Sequence, residues 1–321
     1  MQPADHPATW KTLLAFGIIY FVWGSTFYAI RVGVHEVPPF LLAAMRFFAA
    51  GAVLFAWLRA TGTPNPTARQ WVGATLLGAI IFVLDYGCLF WAEQRVPSGI
   101  AAVVLACIPV FMTLLEIIIL RTQQLTFRLG VALFIGMLGV AVLVNRSFSL
   151  GQAPIDRAGT LALVFAAFSW SIASILTKRV TLPESKPMSS AAQMLTGGTL
   201  LFVLTAVTGE FSGFRAQSVS LNAWFALVYL IIFGSIIGFT AYVWLLHYES
   251  PTKVGTYAYV NPVVAVALGY FIGGEPVGLR TLLGTLLVLV SVITITTTPK
   301  KANVKSKFDP QEALSAATRE A

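Results

Sequence analysis

Charge is scarce in this sequence. Lys, Arg, Asp and Glu make up 11% of its 321 residues, whereas a soluble domain carries about 25%. A chain so poor in charge cannot clothe a globular surface with water-binding side chains. Histidine is nearly missing as well: His6, His35 and His247 all lie at or beyond the ends of apolar runs. No His/carboxylate metal spacing and no G-x-S-x-G elbow occurs, so nothing points to a metal centre, a cofactor or a hydrolytic nucleophile. An intramembrane enzyme is therefore the weakest functional class, and the chain is expected not to be one. The two cysteines, Cys88 and Cys107, sit inside apolar runs and give neither a disulfide framework nor a thiolate metal site. The net charge of +8 has no basic soluble domain to act through, which argues against nucleic acid as a partner.

What the chain has in abundance is apolar length, with 57% hydrophobic residues. A helix needs roughly 20 apolar residues to cross a bilayer. Ten such runs occur, at 12–34, 39–58, 71–92, 98–120, 127–145, 158–177, 188–207, 222–246, 252–273 and 279–298. The first is longer than the apolar core of a cleaved leader, about 7–15 residues, and reads as a span. Of the 21 Lys and Arg, fourteen fall on the side of the termini and six on the other; Arg46 lies within a span. This bias predicts a multi-pass protein of the plasma (inner) membrane with both termini cytoplasmic. Five of the fourteen belong to residues 299–321, a basic tail expected to rest near anionic lipid.

The chain also repeats itself. Trp23 and Trp170 are 147 residues apart, as are Arg46 and Gln193. Trp71 and Trp224, Trp91 and Trp244, and Pro109 and Pro262 are 153 apart, one longer loop in the second half accounting for the change. Residues 1–150 and 151–298 thus read as two five-helix halves. Five is odd, so the second half is inverted. The predicted fold is all-α integral membrane, ten transmembrane helices in two inverted five-helix repeats, an arrangement characteristic of secondary transporters.

Polar residues inside the spans are the candidate functional groups, since each charge there is costly and must face protein or water. Arg46 and Asp85 each lie seven residues inside their spans, at a common depth of about 10 Å. They read either as a structural ion pair or as working groups, Arg46 for a substrate carboxylate and Asp85 for a proton. Glu116, deeper in span four, reads either as a carboxyl bonded to a neighbouring helix or as a second proton carrier. Six tryptophans mark span ends, but Trp23 and Trp170 are mid-span repeat equivalents: either packed core or the aromatic walls of a central cavity. Pro109 and Pro262 remove a helical hydrogen bond at matched places, freeing the Leu105 and Ala258 carbonyls and kinking the helix, for packing or to line that cavity. Gly234 and Gly238 give the spacing of close helix approach, expected within the chain.

The stretches "YFVWGSTFYAIRVG", "VPSGIAAVVLACIPVF" and "SPTKVGTYAYVNPVVAVALGYFIGGE" resemble the EamA-type drug/metabolite transporter superfamily over about Leu13 to Thr298. The resemblance implies alternating access, export of small metabolites, and a cavity lined by Trp23, Tyr86, Trp170, Tyr242, Tyr257 and Asn261. The family often ends span four in Gly-Glu; this chain has Arg121-Thr122 there and keeps the element only as Gly274-Glu275. Two Trp, several Tyr and one buried Arg suit an amphipathic molecule with a single anionic group, such as an amino acid. The expected partners are that small molecule, the lipid bilayer and a proton, with the chain acting as a monomer. A passive facilitator of the same fold is the alternative.

Overall fold

The computed structural model describes residues 7–96, 101, 104–148, 156–271 and 278–298, and every regular element among them is helical. In chain order the longer ones are α1 (Thr9–Val34), α2 (Pro39–Ala60), α3 (Ala68–Glu93), α4 (Ile108–Leu120), α5 (Phe127–Phe148), α6 (Arg157–Leu176), α7 (Lys186–Val207), α8 (Leu221–Tyr248), α9 (Tyr257–Phe271) and α10 (Leu279–Thr296), with single turns at Ala216–Ser218 and Pro251–Val254. Among the described residues, six helices (α1, α2, α3, α6, α7 and α8) are long and apolar enough to cross a membrane, and shorter apolar stretches lie in α4, α5 and α10. Large apolar side chains such as Phe21, Ile118 and Phe134 point outward, as they do on a helix surrounded by lipid.

The helices start where the sequence supplies caps. Thr67 and Gln70 form a reciprocal capping box on α3, and the Asp156 and Ser220 side chains accept from Gly159 and Ala223 at the starts of α6 and α8. The run expected from 252 divides in two. Ser250 and Pro251 start a single turn, Pro251–Val254, and α9 then begins at Tyr257. Pro109 is the second residue of α4, after a turn at Ala106–Cys107, so the chain there restarts a helix where a kink was expected. Residues 97–100, the Gly273-Gly274-Glu275 ending and the basic tail lie outside the described residues.

Two pairings dominate the bundle: α2 lies along α7, and α5 along α10. The first is antiparallel and reciprocal. A Cβ on Gly51 would meet the Leu195 nitrogen at 2.4 Å, and one on Gly198 would meet the Phe48 nitrogen at 2.4 Å. Shifting residue numbers by 147 converts each contact into the other. The ends of these helices match too. Gly62 and Gly209, again 147 apart, adopt φ of +89° and +74°, which a side chain would strain. Behind them Thr63 donates to the Leu58 carbonyl and Glu210 to the Thr205 carbonyl. Both α3 and α8 carry a wide-turned π segment at mid-helix, Ala79–Tyr86 and Leu230–Ile237. Such segments leave carbonyls out of the regular ladder and often mark working sites.

Candidate functional site

The site is built where α1, α3, α6, α8 and α9 meet. The far end of the bundle is where α1 passes into α2. Gly159, at the start of α6, packs there on Val96, so α6 runs from the far end to the near one.

All five aromatic residues singled out in the sequence come together. Trp23 and Trp170 meet edge to face at 5.5 Å between ring centroids. Tyr257 lies 4.8 Å and Tyr242 5.1 Å from the Trp23 ring. Tyr242 is 4.8 Å and Tyr86 5.8 Å from Trp170. All are buried. Edge-to-face and tilted contacts of this kind are each worth about 0.5–1.5 kcal/mol beyond area burial. The two tryptophans, expected as walls on either side of a cavity, touch in this conformation. Their polar edges differ. Trp23 Nε1 donates to the Gly234 carbonyl at 3.0 Å, a carbonyl within the α8 π segment. The Trp170 indole N–H faces the Tyr242 and Tyr257 hydroxyls without closing a hydrogen bond of regular geometry to either. The Ser174 and Tyr242 hydroxyls bond each other.

Arg46 stands at the edge of this cluster. Its residue is 1% exposed, and its guanidinium carbon is 4.6 Å from the Phe47 ring centroid and 5.3 Å from that of Tyr86, a cation–π arrangement. Nε donates to Ser235 at 2.9 Å, while Nη1 is buried without a partner. The room comes from Gly234, where a Cβ would lie 2.8 Å from Nη2, and Gly238 likewise accommodates the Trp23 indole. The Gly234/Gly238 spacing therefore serves close packing inside the chain.

Arg46 does not pair with Asp85. The two share a depth, but α3 presents Tyr86 to the guanidinium, and neighbouring residues on a helix point in different directions. Asp85 is buried and within electrostatic reach of the Tyr86, Tyr242 and Tyr257 hydroxyls instead. Glu116 lies apart, at the near end. Its Oε2 accepts from the Thr252 nitrogen at 3.0 Å and hydroxyl at 2.7 Å, and its Oε1 from Thr122 at 2.9 Å. It thereby ties the end of α4 to the turn before α9. The Tyr20 and Thr256 hydroxyls, 236 residues apart, bond at 2.7 Å and join α1 to the start of α9. Asn261 is buried, with its amide oriented to donate to the Tyr257 carbonyl at 3.1 Å and the Tyr20 carbonyl at 3.3 Å. Pro262 stands inside α9, and the Asn261 amide serves the backbone beside that gap.

Sequence reasoning did not single out Ser235, Phe47 or Phe239. Phe239 is 153 residues from Tyr86 and packs on Trp170 at 6.5 Å, so the repeat offset was a signal that pointed to it. Ser235 has Phe82 at the equivalent place, and no pattern marked it. Among the described residues no cluster of His, Cys, Asp and Glu is placed to hold a metal ion.

An all-helical bundle, apolar on its outside and gathering aromatic rings and one guanidinium within, has the make-up of a membrane transporter. The chain belongs to the EamA-like transporter family, whose pattern matches twice, over residues 10–145 and 157–297. It is 36% identical over 281 residues to the "uncharacterized inner membrane transporter YedA" of Escherichia coli K12, covering 87% of this chain and 88% of that one. It is 29% identical over 290 residues to a "probable amino-acid metabolite efflux pump" of Salmonella typhimurium LT2, covering 86% and 91%. A solved crystal structure, 22% identical, superposes with a TM-score of 0.71 over 90% of this chain and 97% of the other, and so shares the fold.

Proposed function

We propose that this transporter exports small amphipathic molecules bearing one anionic group, amino acids among them, by alternating access across the inner membrane. The observation that carries the reading is a buried guanidinium with one unpartnered nitrogen at the edge of a five-ring aromatic cluster. A buried cation without its full set of acceptors is costly, and a substrate carboxylate removes that cost while the rings take the apolar body. The name of the Salmonella relative supports export and the substrate class, and that of the Escherichia coli relative supports the inner membrane.

In this reading α1 to α10 are ten spans, in inverted halves 1–150 and 151–298, and rocking of the halves opens the cluster to each side in turn. The reciprocal α2–α7 contact, the twin glycine ends and the doubled family match support the inversion. The Lys and Arg balance assigns the near end, the termini and the tail 299–321 to the cytoplasm. Glu116 and Thr252 then hold the cytoplasmic side closed, and Pro109 and Pro262 shape the path. The chain works as a monomer.

Asp85 is the proton site that couples transport to the gradient. Substrate flux from reconstituted vesicles of Asp85→Asn should no longer respond to an imposed pH gradient; an unchanged response removes Asp85 from that role. Trp170→Ala should change which substrates are carried. A folded Trp170→Ala protein with the parent's substrate range and rate would sink the aromatic cluster as the substrate site.

A further inference from the structure

At the far end lies an open cleft of about 370 Å³ that the reading above does not use. Arg31, Val34 and His35 line one side, and Glu93, Gln94, Arg95 and Val96 the other. Glu93 is the last residue of α3, and its Oε2 is buried with no hydrogen-bond partner. A buried carboxylate oxygen in that condition is costly unless something donates to it. Seven residues back along α3, on the same helix face, is Tyr86, the ring on which the Arg46 guanidinium rests. Glu93 is thus about 10 Å farther out on the face that meets Arg46. Both Arg31 and Arg46 are within electrostatic reach of Glu93. Even so, Arg46 and Glu93 do not close into an ion pair, and each keeps one polar atom buried and unmatched. A buried cation and a carboxyl group separated by more than a contact, each with one unmatched polar atom, match a ligand that carries both signs.

We propose that Glu93 determines specificity by receiving the protonated amine of a substrate whose carboxylate is bound by Arg46, so that the site selects zwitterions over amine-free carboxylates. This rests on the substrate-carboxylate reading of Arg46. Glu93→Gln keeps the length of the side chain and removes the carboxylate acceptor offered to the amine.

The test uses the full-length protein in detergent and three probes with the same ring: L-phenylalanine, 3-phenylpropanoate, which lacks the amine, and 2-phenylethylamine, which lacks the carboxylate. Affinities are read from the ligand-dependent rise in melting temperature. The parent should bind L-phenylalanine at least about tenfold more tightly than 3-phenylpropanoate, the order expected for one charged hydrogen bond. Glu93→Gln should bring that ratio to within about twofold by weakening L-phenylalanine alone, and Glu93→Asp should retain part of it. In the parent, 2-phenylethylamine should compete with L-phenylalanine, a measurement that needs no variant to fold. Equal binding of L-phenylalanine and 3-phenylpropanoate by the parent, or an unchanged ratio in Glu93→Gln, overturns the role of Glu93 and leaves the Arg46 reading standing. If the parent binds neither acid, the Arg46 reading falls too. Loss of a pH-gradient response in Glu93→Gln vesicles with the ratio unchanged would make Glu93 a proton site and would likewise overturn the proposal.

Discussion

A single missing methyl group sets the position of the buried cation. A Cβ on Gly234 would lie 2.8 Å from Arg46 Nη2 and 3.0 Å from the Thr26 methyl. The arginine tip is flexible, so Gly234→Ala should fold while pushing the guanidinium off its place beside Ser235. The expected result is a roughly tenfold weaker affinity for carboxylate substrates, about 1.4 kcal/mol, with a melting temperature close to that of the parent; ligand titration of the two proteins checks it. The residue scale is also where sequence reading reached least far. That Trp23, Tyr86, Trp170, Tyr242 and Tyr257 come together was legible, the tryptophans from their mid-span repeat positions and the tyrosines only through the family resemblance. Which neighbour each polar group takes was not. Arg46 finds Ser235 and two rings, and Asp85 turns away from it, because side-chain direction depends on helix phase, and depth arithmetic does not contain phase. Glu93 escaped notice for a different reason: a carboxylate at a span end is ordinarily solvated, and only the packed structure buries one of its oxygens.

At the scale of elements, several helix ends are tied across the chain by carboxylates. Glu36, in the loop after α1, accepts from the Ser220 nitrogen at 2.6 Å and hydroxyl at 2.7 Å at the start of α8. Glu210, beyond α7, accepts from the Leu41 nitrogen at 2.9 Å in the first turn of α2. Both place negative charge at a helix start, where the backbone dipole favours it. The Ser220 backbone bond, and then its hydroxyl bond, hold the Glu36 carboxyl below its ordinary value of 4.5. A depressed folded pKa means the stabilisation is complete above the unfolded value and fades as pH falls through the folded one. The parent should therefore lose melting temperature faster than Glu36→Gln as pH drops from about 5 toward 3, and parallel slopes in the two proteins would contradict this. Where these helices start was legible from apolar length, and the structure adds their caps, the ordinary N-cap residues Thr67, Asp156, Ser185 and Ser220. The π segments were not, since a run such as "AIIFVLDY" has the same composition in either helix type.

For the whole molecule, the 147-residue offset that sequence alone revealed reappears in space as paired contacts. The spacing of the runs foretold the six helices that are long and apolar enough to cross a membrane, because lipid leaves the backbone few alternatives. Only the pairing of α2 with α7 and of α5 with α10 needed the structure, because sequence periodicity gives a helix its apolar faces without naming the neighbour. The tightest of these contacts should be the least tolerant. Gly51→Leu drives a side chain against the Leu195 backbone and should cost at least about 1–3 kcal/mol, seen as a lower melting temperature in detergent. Gly17→Ala, where a Cβ meets nothing within 4 Å, should be neutral or slightly stabilising. In the rocking proposed above, the glycine contact between α2 and α7 would act as a fulcrum. Backbones that touch through glycines have no interlocking side chains at that point to resist torque. Close contact still holds the helices together, so they can swivel on each other while staying joined. The lever arms are the lengths of helix on either side of the crossing, and a small turn there becomes a larger displacement at the two ends of the bundle.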